Sequence, residues 1–325
     1  MKAGRPDTSV WSEGRTRAKT AMETATVGFI GLGTMGGPMC VRLARAGHAV
    51  RAFDLNPQAL EAPVEAGATA VGSAAEAASS AEVLLTSLPA PTQVEAVMCD
   101  AGALAALAPG STWVDLTTSR PELIRRLVGE APPGVSLVDA PVTGAVDGAR
   151  NGRLTLFAGG EPESVERVRP VLERLGRVIA CGELGTGCVT KLVTNQLWFV
   201  GAAALAEGLA VGARNGVELG DLWEAIKSSV GDSFTARHDA PSIFAGHYDP
   251  SFSLGLCLKD LGLLAELEEA VGADLPMTAA ARAAFARAAE RYGDDAPELS
   301  VARRIEDDAD LSLRLDGDWI PHWEA

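Results

Sequence analysis

Two residue sets in this chain have the types and spacing for chemistry. One is Lys191 with Asn195, four residues apart in Gly185-Thr186-Gly187-Cys188-Val189-Thr190-Lys191-Leu192-Val193-Thr194-Asn195-Gln196. That spacing puts an amine and an amide on one face of a helix. The flanking residues Leu192, Val193, Leu197, Trp198, Phe199 and Val200 are apolar, and a lysine in such a stretch is rarely there for solubility. Desolvation lowers its pKa from ~10.4 toward the working range of a general acid/base. The other set is the turn Gly31-Leu32-Gly33-Thr34-Met35-Gly36, directly after the apolar run Thr26-Val27-Gly28-Phe29-Ile30. A GxGxxG turn between a strand and a helix suits the pyrophosphate of a dinucleotide. The first glycine makes the turn, the second admits the phosphates and the third lets helix pack on strand. Together the two sets point to hydride transfer to or from a small carbonyl compound.

Asp54 follows Gly31 by 23 residues, at the end of the second apolar run. A carboxylate there accepts hydrogen bonds from the hydroxyls of an adenosine ribose and repels a 2′-phosphate. The next residues are Leu55 and Asn56, not an arginine. NAD is therefore expected as the cofactor rather than NADP.

These groups need a scaffold that alternates strand and helix. Strand patterns fall at Thr26–Ile30, Ala49–Phe53, Val83–Ser87, Thr112–Asp115, Val135–Val138, Leu154–Ala158 and Val178–Ala180. Helical patterns such as Pro38–Ala46 and Pro121–Glu130 lie between them, which predicts a parallel sheet covered on both faces. After Gly187 the pattern is helical only, beginning with a long Ala/Leu/Val-rich stretch from Cys188 to about Asn215. Helices follow at Leu219–Ser229, Cys257–Val271, Met277–Tyr292 and Ser300–Asp308. The expected fold is an α/β Rossmann-type doubly wound domain over 25–184, and an all-α domain over 185–325 joined to it by a long helix. Residues 1–24 carry five basic side chains and no apolar segment of a secretory signal. They are expected to be a disordered extension, with Met22 as a candidate start.

Composition excludes several function classes. A formal charge of −15 leaves no basic face for nucleic acid. No uninterrupted apolar run approaches the ~20 residues of a membrane span, so no membrane partner is expected. The five cysteines are scattered, without CxxC pairs, as in a reduced, cytoplasmic protein. His48, His238, His247 and His322 are too dispersed for a metal site. His238 beside Asp239 is expected to be a surface loop pair.

The ordered motifs resemble the β-hydroxyacid dehydrogenase family over about residues 25–295. The resemblance rests on Gly31 through Met39, on Asp139-Ala140-Pro141-Val142-Thr143-Gly144-Ala145 with Gly148, Ala149 and Gly152, on Gly187 with Lys191 and Asn195, and on Phe252, Leu256, Lys259, Asp260 and Leu261. It implies that Lys191 is the general acid/base and that Asn195 holds substrate. It implies that Thr143, Gly144 and Ala145 bind the substrate carboxylate, where converging amides suit an anion. It places Leu88, Pro89, Thr118 and Lys259 at the cofactor, beside the turn residues 31–36 and Asp54. The expected partner is a small carboxylate substrate, and the expected assembly a homodimer or homotetramer. The chain departs from the family where the substrate loop usually reads Ser-Gly-Gly and where Gln196 replaces a common second Asn. Two rival readings are an imine reductase, whose members typically lack a lysine at position 191, and a silent dinucleotide-binding protein. The tail carries Trp319 and Trp323, expected to pack on a partner subunit or on the chain's own helical domain.

Overall fold

The computed structural model describes residues 24–317 and 319, so the N-terminal extension before Thr24, and His322 and Trp323, lie outside the described residues. The chain divides into two compact units, one ending at Thr190 and the other beginning at Lys191.

The first unit is a nine-stranded sheet. Its strands are β1 (Thr26–Ile30), β2 (Ala49–Phe53), β3 (Thr69–Ala70), β4 (Val83–Thr86), β5 (Thr112–Asp115), β6 (Ser136–Asp139), β7 (Val142–Thr143), β8 (Leu154–Gly160) and β9 (Gly176–Gly182). Strands β3-β2-β1-β4-β5-β6 run parallel in that spatial order. The order reverses beside β1, and such a switch point is where doubly wound sheets bind ligands.

Helices cover both faces. Helix α1 (Gly36–Arg45) leads from β1, and α2 (Glu61–Glu65) and α3 (Ala74–Ser79) follow β2 and β3. Then come α4 (Pro91–Glu95), α5 (Pro121–Glu130), α6 (Ala145–Asn151) and α7 (Pro162–Leu172). Alternation along the buried strands sorts their side chains into two layers. Val83 and Leu85 pack with Met39 and Leu43 of α1 and Val168 of α7, whereas Leu84 packs with Ala77 of α3 and Ile124 of α5.

The sheet is mixed where the sequence pattern predicts a parallel one. Strand β8 runs antiparallel to both β6 and β7, and β9 runs parallel to β8. Only residues 144–153 separate β7 from β8, too few for a parallel crossover of a dozen or more. Helix α6 ends at Gly152 with φ +66°, and the chain turns back there. Strands β3 and β7, two residues each, carry no periodic signal.

Helix α8 (Thr186–Arg214) begins in the first unit and carries the chain into the second, which starts at its Lys191. By length and mean hydropathy it could cross a membrane, yet it carries Lys191, Asn195 and Glu207 and sends Leu192, Phe199, Ala206 and Leu209 into the second unit's core. Around that core lie α9 (Leu219–Lys227), α10 (Ala240–Ala245), α11 (Leu254–Val271), α12 (Pro276–Tyr292) and α13 (Ser300–Ala309). Among the described residues no strand follows Gly182. The segment expected to be a loop around His238 is instead a π-helical turn, Thr235–Asp239, continuing into α10. There His238 Nδ1 lies 2.8 Å from Oδ1 of Asp239, while Nε1 of Trp198 donates to Oδ2 at 2.7 Å. Asp239 is buried, so the pair is not a surface feature. Trp319 packs on its own unit, against Trp223 and Phe244.

Candidate functional site

The expected site residues fall into two groups, one on each unit. In the first unit the Gly-rich turn has the conformation that its chemistry needs. Gly31 has φ +90°, and a Cβ there would stand 2.3 Å from the Ser87 carbonyl. A Cβ on Gly36 would stand 1.9 Å from the Gly31 carbonyl, so only glycine allows α1 to start so close to β1. A Cβ on Gly33 would meet nothing within 4 Å, and Gly33 and Thr34 are exposed. Their backbone is open to an incoming anion at the start of a helix, where unpaired amides and the helix dipole favour one. These residues therefore fit a dinucleotide pyrophosphate. A groove of about 850 Å³ runs from Leu32, Gly33 and Thr34 along α1 to Arg42 and Arg45.

Asp54 stands just past β2 and is half-buried. Its Oδ2 accepts from the Leu32 amide at 2.6 Å, and its Oδ1 accepts from the Asn56 amide at 2.8 Å. The carboxylate thus ties the Gly-rich turn to β2. Each oxygen keeps a further lone pair for a ribose hydroxyl. Leu88 and Thr118 sit in the loops after β4 and β5, with Pro89 exposed. The Leu88 amide donates to Oγ1 of Thr117 at 3.1 Å.

The expected substrate loop, Thr143-Gly144-Ala145, joins β7 to α6. Gly144 has φ +123°, and Ala145 has φ +53°, a region that L-residues with a Cβ rarely adopt. The chain therefore keeps the backbone path that a glycine would take more easily.

The start of α8 is held by a residue whose role the sequence did not reveal. Asp139, at the end of β6, is fully buried; its Oδ1 accepts from the Gly185 amide at 2.6 Å and its Oδ2 from the Cys188 amide at 2.7 Å. This carboxylate caps the helix that three residues later carries Lys191. A Cβ on Gly187 would stand 2.1 Å from the Phe157 carbonyl, so the helix enters against β8 only with glycine there.

In the second unit the structure brings Lys191 into the field of Lys259, Asp260 and Glu298. Burial lowers the Lys191 pKa from its ordinary 10.5 to about 8; Asp260 and Glu298 pull it up and Lys259 pushes it down. Asn195 does not point free. Its Nδ2 donates to Oδ2 of Asp260 at 2.7 Å, and Oδ1 of Asp260 pairs with Nζ of Lys259 at 2.9 Å. Asp260 thereby connects the helix bearing Lys191 to the Lys-Asp motif on α11. Glu298 carries no signal in the sequence. It is buried just before α13, its Oε2 has no hydrogen-bond partner, and burial and Asp249 push its pKa well above the carboxylate range. No periodicity or motif marks such a residue; only tertiary packing does. Among the described residues no cluster of His, Cys, Asp and Glu could hold a metal ion.

The sequence matches two family models. Residues 26–189 match the NAD binding domain of 6-phosphogluconate dehydrogenase. Residues 185–305 match the NAD-binding domain of NADP-dependent 3-hydroxyisobutyrate dehydrogenase. A 3-hydroxyisobutyrate dehydrogenase of Pseudomonas aeruginosa is 39% identical, over 80% of this chain and 90% of its own. The NAD-dependent L-serine dehydrogenase of the same species is 35% identical, over 86% and 97%. A solved 3-hydroxyisobutyrate dehydrogenase of Mycobacterium tuberculosis with L-serine aligns with a TM-score of 0.81 at 32% identity, over 87% of this chain and 99% of that one.

Proposed function

This chain belongs to the β-hydroxyacid dehydrogenase family, and from that premise we propose that it interconverts a short 3-hydroxy acid and its semialdehyde with NAD, using Lys191 as general acid/base. Relatives that oxidise hydroxy acids support the reaction class. The lysine role is carried by the placement of Lys191 on the helix whose Asn195 is bound to Asp260, with burial lowering the Lys191 pKa to about 8.

When bound, the nicotinamide supplies the hydride acceptor in oxidation and the donor in reduction. Lys191 as the amine takes the hydroxyl proton at Nζ; as the ammonium it returns a proton to the carbonyl oxygen. Asn195, oriented by Asp260, holds the substrate oxygen near Nζ. The Thr143 hydroxyl and the backbone of Gly144 and Ala145 hold the carboxylate, the Ala145 methyl limiting its space. Gly31 through Gly36 hold the pyrophosphate, with Leu88, Pro89, Thr118 and Lys259 along the rest of the cofactor. Asp54 favours NAD through the ribose hydroxyls.

We also propose a homodimer or homotetramer. Val193, Leu197 and Val211 lie exposed along one face of α8, apolar surface that a second copy of this chain would cover. Sedimentation at two concentrations tests it; a monomer at both refutes it. The activity is tested by NADH formation across a panel of short 3-hydroxy acids. No turnover with any of them would leave only cofactor binding.

A further inference from the structure

A row of polar side chains crosses the C-terminal edge of the sheet, and one of them has no part in the reaction proposed above. Thr86, Asp115 and Asp139 end β4, β5 and β6 and stand in register. Asp115 is 1% exposed. Oγ1 of Thr86 accepts from Nε1 of Trp113 at 2.9 Å, so its one hydrogen goes to Oδ1 of Asp115, 2.8 Å away. The same Oδ1 accepts from the Thr117 amide at 3.1 Å. Oγ1 of Thr117 in turn accepts from the Leu88 amide at 3.1 Å. The loop after β4 and the loop after β5 are therefore tied by the Leu88–Thr117 bond, and the buried Asp115 carboxyl fixes Thr117 against Thr86 at the end of β4. Its Oδ2 has no hydrogen-bond partner.

From this geometry we infer that Asp115 is a positioning residue of the dinucleotide site, whose ionised carboxylate holds the Leu88 and Thr117 loops in the shape that grips the cofactor. The inference rests on the reading of Leu88, Pro89 and Thr118 as cofactor-lining residues. Hydrogen bonds that neutral donors make to a carboxylate are stronger than those to a carboxyl group, so ionisation tightens the tie. The titration falls in the physiological range. Burial raises the Asp115 pKa to about 7, against the pull of the Thr86 and Thr117 hydrogen bonds, and the facing Asp139 raises it further. From the other side comes the Cys188 thiol at the start of α8, kept protonated by burial and by Asp139 and Asp115.

The test is NADH affinity of the full chain by fluorescence, between about pH 6 and about pH 8, a unit either side of the titration. NADH is the probe because its nicotinamide ring carries no charge. Wild-type affinity should rise about fivefold over that range, the gain expected when the acceptor of two hydrogen bonds becomes charged. Asp115→Asn keeps the shape and the acceptor; its affinity should be flat and match the wild type at the acid end. Thr117→Val keeps the carboxylate but cuts the tie to Leu88, and should flatten the profile too, whereas Thr117→Ser should restore it. A wild-type profile that Asp115→Asn or Thr117→Val leaves unchanged overturns the inference. So does an affinity that falls with pH, which would mean that the carboxylate only repels the cofactor. A folded wild type that binds no NADH at any pH would instead remove the cofactor reading beneath it.

Discussion

Replacing Lys191 with arginine keeps a positive charge at the start of α8 but removes the ability to become a neutral base, because a guanidinium stays protonated. The structure sets the size of the effect. A lysine of ordinary pKa 10.5 would be about 0.3% amine at pH 8, whereas Lys191, lowered to about 8, is about half amine there. Burial thus raises the population of neutral amine about 150-fold. The wild-type oxidation rate should climb with pH and level off, with its midpoint near 8. Reduction needs the ammonium and should fall through the same midpoint. Lys191→Arg should lose about 10²–10⁴ of kcat in oxidation, the usual contribution of a positioned acid/base, while NADH binding persists. Steady-state kcat against pH in both directions, with NADH binding measured separately, decides the matter. An oxidation limb with its midpoint near 10.5, or an arginine variant as fast as wild type, would exclude Lys191 as the base.

Three further outcomes follow from particular contacts. Asp260→Asn removes a carboxylate that favours the Lys191 ammonium, so the oxidation midpoint should move to lower pH; a shift upward would contradict the assignment. Ala145→Gly relieves a φ of +53° worth about 1 kcal/mol but loosens the unfolded chain by a similar amount. Its melting temperature should barely change while KM for bulkier hydroxy acids falls, and a loss beyond ~2 kcal/mol would show that the methyl packs in the fold. Asp115 has a folded pKa raised above its unfolded value, so its contribution is full below about 4 and is lost as pH rises through about 7, a cost of about 4 kcal/mol. Thermal unfolding of Asp115→Asn should therefore gain on wild type as pH rises across that window, and a constant difference would show that Asp115 does not titrate there.

Much of this fold is written in short-range pattern. The strands β1, β2 and β5 and helix α5 lie where apolar runs and Pro121 put them, because buried parallel strands and proline-started helices leave local marks. The antiparallel β8 does not, since its direction depends on a connection too short to cross over. The candidate site divides the same way. Lys191, Asn195 and the Gly-rich turn are visible as residue types at fixed spacing. Asp139 as a helix cap, Glu298 in the field of the lysine and Asp115 beside two loops are visible only once segments far apart in sequence pack together. Asp54 also has a structural task, because the same carboxylate binds the Leu32 amide. Asp54→Asn should raise the kcat/KM for NADP relative to NAD; an unchanged ratio would leave Asp54 with the structural task alone.

The central claim is proton transfer at Lys191 coupled to oxidation of a short 3-hydroxy acid. Its most direct test is a single-turnover reaction of saturated wild type and Lys191→Ala with NAD and the best substrate of the panel, following NADH. NADH should form in the wild type, and at a rate lower by orders of magnitude in the variant, with NAD still bound. Equal rates in the two proteins would contradict the claim.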